Sequence, residues 1–153
     1  MKKILLTLPL IILLVGCTNK VEENKIAYLE YKDELQKKEI FNEEEQADFN
    51  TYFGIEREND EIINYKLTIN SPQINMYNVK ALLIHDYIQS EAYPSVGILD
   101  SPVNLLVDTD SKIELKGTIQ TTDDIRNVRY KLYLEYKDED GNKNKIYYQL
   151  SRG

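Results

Sequence analysis

The chain holds one histidine, His85, and one cysteine, Cys17, and these two residues bound the acid–base and nucleophilic chemistry open to it. A Ser-His-Asp or Cys-His site would have to be built on His85, which stands beside Asp86 in an apolar run; the sequence offers no serine elbow to go with it. The expectation is a structural histidine at or near a strand end. Zinc sites draw on several Cys or His ligands, so no metal is expected. Carboxylates are plentiful. Asp138, Asp140 and Asn142 alternate around Gly141 in the manner of a calcium loop, but such a loop needs a bidentate Glu further on, and residues 143–150 hold none. A hairpin turn accounts for them better. Asp108 and Asp110 read as a second turn and Asp123-Asp124 as a solvated loop, and no motif sets two carboxylates across a cleft as sugar hydrolysis requires. The sequence thus predicts no catalytic residue, no cofactor and no enzymatic activity.

Tyrosine is the remaining unusual resource, with twelve in the chain, more than a small core needs. Many pair across strands. Tyr52, Tyr133 and Tyr147 fall on the polar side of their alternating segments, where an amphipathic ring can stack on a sugar or anchor a protein contact. These three are the candidate binding surface.

The first seventeen residues carry an address. Met1-Lys2-Lys3 precedes an apolar run from Ile4 to Val15, then Gly16-Cys17; a basic start, an apolar core and a small residue before the cut are the parts of a secretory signal peptide. The run is shorter than the ~20 apolar residues that cross a hydrocarbon core, and Pro9 interrupts it. Leu14-Val15-Gly16-Cys17 resembles the lipobox of bacterial lipoproteins. That resemblance implies removal of residues 1–16, lipid attachment at Cys17 and residence at the outer face of the cell membrane. Two acyl chains on the thioether, at ~0.8 kcal/mol per buried methylene, would make the anchoring effectively permanent. A secreted chain with a single cysteine can form no internal disulfide, and lipidation removes an otherwise exposed thiol.

Loss of residues 1–16 takes two lysines and no acid from a chain of formal net charge −7, leaving −9. Such a chain is repelled by nucleic acid and by anionic head groups, so nucleic acid is excluded as an electrostatic partner and only the lipid is expected to hold the membrane. The remaining length suits one domain and a tail.

Residues 17–46 are rich in Glu, Lys, Asn and Gln, without Pro or Gly. Tyr28, Tyr31 and Leu35, and separately Ile26 and Leu29, recur at spacings of three and four, which predicts a helix over roughly Val21–Glu45 with a thin apolar stripe. It is expected to be a charged stalk, either a solvated spacer or a helix lying on the domain, contributing little to the core, with a short coiled-coil seam for self-association as the alternative. From Phe49 onward the period becomes two. Phe49, Thr51, Phe53 and Ile55 share a face; Ile63, Tyr65, Leu67 and Ile69 share another; Val103, Leu105 and Val107, a turn, then Ile113, Leu115, Gly117 and Ile119 make a strand, turn and strand. Residues 78–87 fit either period, and strand is preferred. Val128 to Lys137 and Ile146 to Leu150 predict a hairpin whose loop Glu139-Asp140-Gly141 puts Gly141 in the left-handed position of a bulge, which pairs Leu134 with Ile146, Leu132 with Tyr148, Tyr130 with Leu150, Tyr133 with Tyr147 and Glu135 with Lys145.

Ile113 to Ile119, a polar loop, Asn127-Val128, the long alternating strand and Asp138 to Gly141 look like the second half of the small immunoglobulin-like sandwiches of bacterial lipoproteins. The fold expected for residues 47–153 is therefore mostly β, an antiparallel immunoglobulin-like sandwich, with a mixed α+β domain as the alternative. The function expected is non-catalytic binding of an envelope protein or polymer. The alternative is a lipid-anchored inhibitor or immunity protein that meets a toxin, phage component or hydrolase with a protruding loop such as Gln89 to Pro94.

Overall fold

The computed structural model describes residues 12–87 and 92–150, with side chains described from Asn19 onward. Where the sequence alternates, the described chain forms eight antiparallel strands: β1 Asn50–Arg57, β2 Ile62–Asn70, β3 Met76–His85, β4 Ser95–Val96, β5 Val103–Leu105, β6 Ile113–Gln120, β7 Tyr130–Lys137 and β8 Lys143–Leu150. They build two sheets, β1-β2-β6 and β4-β3-β7-β8, with β5 added to the β4 side of β3. This is a mostly β, antiparallel sandwich, preceded by one α-helix, α1, at Ile12–Lys37.

The sandwich closes because each sheet turns one apolar set inward. Ile63, Tyr65, Leu67 and Ile69 of β2 and Ile113, Leu115 and Ile119 of β6 meet Ala81 and Leu83 of β3 and Tyr130, Leu132 and Leu134 of β7. Gly117 is part of that fit. A Cβ there would lie 2.1 Å from the ring of Tyr65, which is itself held against Tyr130 (centroids 5.4 Å apart) and His85 (5.6 Å).

The C-terminal hairpin has the expected register at all five pairs, and Gly141 takes φ +80° at its turn. The strand at residues 78–87 is also present, as β3. Val103–Leu105 and Ile113–Gln120 are both strands, but the turn between them crosses from one sheet to the other: β5 pairs β3, whereas β6 pairs β2. β3 changes edge partner along its length, from β5 at Met76 and Val79 to β4 at Ala81 and Leu82. A bulge between Tyr77 and Lys80, with Asn78 at φ 52°, makes the change.

The helix departs from expectation. It starts earlier and ends at Lys37, eight residues before Glu45, because a side chain from the sheet closes it: the Lys131 ammonium donates to the carbonyls of Gln36 and Lys38 at 2.9 Å each and of Leu35 at 3.4 Å. Beyond it the chain runs along the β8 edge, where Asn42 N–H donates to the Tyr147 carbonyl (2.8 Å) and Asn42 Oδ1 accepts from Tyr147 N–H (2.9 Å). α1 is no solvated stalk, since Tyr28 and Leu35 are buried against the larger sheet.

Two glycines of the smaller sheet, Gly117 facing the core and Gly54 facing outward, make a contrast that tests the packing. Gly117→Ala should lower stability by about 1–3 kcal/mol, since Tyr65 has no room to retreat. Gly54→Ala, where a Cβ meets nothing within 4 Å, should leave the urea midpoint nearly unchanged.

Candidate functional site

The three tyrosines proposed as a surface are parted by the fold. Tyr52 lies on the open face of β1-β2-β6 and is 61 % exposed; Tyr133 and Tyr147, on the outer face of the other sheet, are 0 % and 8 % exposed. The expectation of a wet face at Tyr133 and Tyr147 is therefore corrected: α1 lies over them. The Tyr31 ring stacks on Tyr133 with centroids 4.6 Å apart, Tyr147 meets Tyr133 edge-on at 5.6 Å, and Leu35, Leu82, Ile84, Ile98 and Tyr93 complete a second apolar cluster.

That cluster is built around a buried carboxylate. Glu135 is buried beneath the helix, and its Oε2 accepts from the Tyr133 hydroxyl at 2.7 Å while Lys80 (3.5 Å) and Lys143 (3.6 Å) approach Oε1. Burial alone would raise its pKa. The Tyr133 hydrogen bond and the ammonium groups of Lys80, Lys143 and Lys145 outweigh burial and hold it below the usual carboxylate range. The helix supplies further partners. Tyr147 donates to Glu34, Lys80 donates to the Tyr31 hydroxyl at 3.4 Å, and the Tyr28 hydroxyl accepts from Tyr93 N–H at 2.7 Å.

His85 is buried near the end of β3, edge-on to the rings of Tyr93 (5.0 Å), Tyr65 (5.6 Å) and Tyr130 (5.9 Å). Burial lowers its pKa, opposed by the nearby charge of Asp86. The Asp86 carboxylate is engaged by Arg129, accepting from its N–H at 2.8 Å and its Nε at 2.7 Å, so the geometry does not assemble His85 and Asp86 into a proton relay. Asp138 accepts from Asn142 N–H at 2.8 Å across the hairpin turn. Among the described residues no group of three or more His, Cys, Asp or Glu could hold a metal ion. No described helix is long and apolar enough to cross a membrane. Gln89, Ser90 and Glu91 of the loop considered for an inhibitor lie outside the described residues; Tyr93 and Pro94 are bound into the sheet, the latter accepting from Leu83 N–H at 3.1 Å.

The surface left open is the outer face of β1-β2-β6. Register sets three rows across it: Tyr52, Thr68 and Glu114; Gly54, Lys66 and Lys116; Glu56, Asn64 and Thr118. Because Gly54 has no side chain, the middle row is a depression, part of a concavity of about 960 Å³ walled by Tyr52, Lys66, Lys116 and Thr118. Glu114 bridges Lys66 (2.7 Å), Lys116 (3.0 Å) and Lys112 (3.4 Å), and these lysines, Lys66 first, hold its pKa down to about 2. Thr118 donates to Asn64 Oδ1 at 3.0 Å, leaving a rim of amide, hydroxyl and ammonium groups around one exposed ring. Such a face can stack and hydrogen-bond an extended ligand. The alternation of β2 and β6 already turns Asn64, Lys66, Thr68, Glu114 and Lys116 outward, but of this face only Tyr52 stood out as a binding candidate, since the depression depends on Gly54 lying opposite Lys66. No family model, curated protein or solved structure matches the chain.

Two variants test the helix interface. Leu35→Ala, at a fully buried position, should cost about 2–5 kcal/mol in urea unfolding. Because the folded pKa of Glu135 is depressed, its carboxylate stabilises the fold above the unfolded-state value near 4.3, and that contribution is lost as pH falls through the folded value. Glu135→Gln should therefore be less stable than the parent at pH 7, and its loss of stability on acidification should be shallower.

Proposed function

We propose that the protein is an extracytoplasmic lipoprotein, held to the cell membrane by lipid on Cys17, that binds an envelope protein or polymer without catalysis through the open face of β1-β2-β6. The observation that carries this reading is the inequality of the two sheet faces. One is sealed by α1, while the other presents an exposed Tyr52 beside a depression floored by backbone at Gly54. An unsealed aromatic on a polar, hydrogen-bonding face suits recognition of an extended partner.

The lipid reading is supported by Leu14-Val15-Gly16-Cys17 after a basic start and an apolar run. Cleavage before Cys17 would leave α1 as a helix of residues 17–37, which keeps the contacts to the larger sheet described from Asn24 onward. The mature charge of −9 gives no electrostatic affinity for anionic lipid, so attachment would rest on the acyl chains.

In intact cells, Cys17→Ser should release the protein or leave it as an unprocessed precursor; processing and retention like the parent would contradict the anchoring. A photo-crosslinking aromatic in place of Tyr52 should give one dominant adduct, and Tyr52→Ala should abolish binding of that partner with a stability change within about 0.5 kcal/mol. Adducts at the Tyr93-Pro94 side but not at residue 52 would favour the inhibitor reading instead.

A further inference from the structure

Cys17 and the folded domain are close in sequence, and the structure makes them close in space. α1 is already fixed to the larger sheet at Asn24, whose Nδ2 donates to the Leu99 carbonyl at 3.3 Å. One turn later, the buried Tyr28 bonds to Tyr93 N–H. Only residues 18–23 separate Cys17 from that first contact. As the helix they form, they span about 10 Å, and even fully extended they could reach only about 25 Å. A lipid on Cys17 therefore cannot act as a long flexible tether.

The helix crosses the sheet from the β4 side toward β8. Asn24, at its midpoint, meets Leu99, Tyr28 meets Tyr93, Tyr31 meets Tyr133, and its last turn reaches Lys131 and Tyr147. We infer that the bilayer carrying the Cys17 lipid lies against the β4 edge of the larger sheet, where the Gly97–Pro102 loop presents Leu99 beside Asn24 of α1, and that the domain holds this one orientation. The inference rests on the reading that Cys17 is lipidated.

Side chains at the two edges agree with it. Toward the β4 edge Val21 of α1 is 57 % and Leu99 47 % exposed, and the one acid of the loop, Asp100, is exposed with one carboxylate oxygen accepting from Gly97 N–H at 2.6 Å. The opposite edge, β8, is followed alongside by the segment that leads into Glu43, Glu44 and Glu45. Three strand spacings separate the two edges, about 14 Å. With anionic lipid below, the arrangement puts Val21 and Leu99 at the interface, where the charges of Glu22 and Glu23 are balanced by Lys20 and Lys25, and keeps the run Glu43 to Glu45 away from it. It also leaves the open face of β1-β2-β6 clear of the bilayer, because α1 and the membrane contact belong to the other sheet.

The test uses the full chain, produced in a lipid-modifying bacterium and reconstituted in phosphatidylcholine–phosphatidylglycerol vesicles that carry a nitroxide-labelled lipid. Leu99→Cys and, separately, Ile40→Cys receive a fluorophore; both positions are exposed, and Ile40 lies beyond the far end of α1, about 20 Å along the helix from Asn24. Quenching should be at least threefold stronger at 99 than at 40, and the difference should shrink in Tyr28→Ala, which loosens the helix from the sheet. Equal quenching at the two positions in the parent background, or stronger quenching at 40, would overturn the orientation while leaving lipidation intact. A chain that lacks the diacylglyceryl mass on Cys17, or that does not float with the vesicles, would overturn the anchoring reading and the orientation with it.

Discussion

The carboxylate of Glu135 is buried in the middle of a sheet face, and the arrangement of the N-terminal third of the protein follows from how that charge is kept satisfied. A desolvated carboxylate without partners costs several kcal/mol. Here the Tyr133 hydroxyl donates to it at 2.7 Å and Lys80 and Lys143 stand close by, while Tyr31 and Glu34 of α1 engage Tyr133, Lys80 and Tyr147 in turn. The helix is thus located by aromatic stacking and charge-assisted hydrogen bonds as much as by Leu35. Such contacts have fixed geometry, and they hold α1 in one place across the strands.

A sandwich of two sheets has two outer faces, and here they serve different ends. The β4-β3-β7-β8 face is spent on the helix, which carries the residue proposed to bear the lipid. The β1-β2-β6 face keeps Tyr52 and the depression at Gly54 open. Under the proposed function, attachment and recognition would fall on opposite layers, so a ligand on one would not compete with the membrane on the other.

Much of the fold is written in the alternation of the sequence. The hairpin of β7 and β8 is fully specified by its apolar set and by Gly141, and the inward faces of β2 and β6 read directly. The outer face of the larger sheet is where pattern reasoning fails. In β7 the residues between the core positions are Lys131, Tyr133 and Glu135, polar enough to pass for a solvent face; their burial depends on partners in α1 about a hundred residues away, which no local period records. β3 gave the converse signal: Ala81-Leu82-Leu83-Ile84 is a continuous apolar run, ambiguous between helix and strand, because both of its faces are buried, Ala81 and Leu83 in the sandwich and Leu82 and Ile84 under α1. That run was the sequence's record of the docked helix. The thin stripe of Tyr28, Tyr31 and Leu35 understated the interface because much of its contact is made by tyrosine rings and hydroxyls.

The most direct measurement of whether α1 belongs to the folded domain is amide hydrogen exchange along residues 18–37 of the chain. If the helix is held by Tyr28, Tyr31, Glu34 and Leu35, the amides from Tyr31 to Lys37 should exchange at rates approaching those of β7, governed by global unfolding. Exchange of the whole helix at the rate of a free peptide, with β7 still protected, would contradict the account.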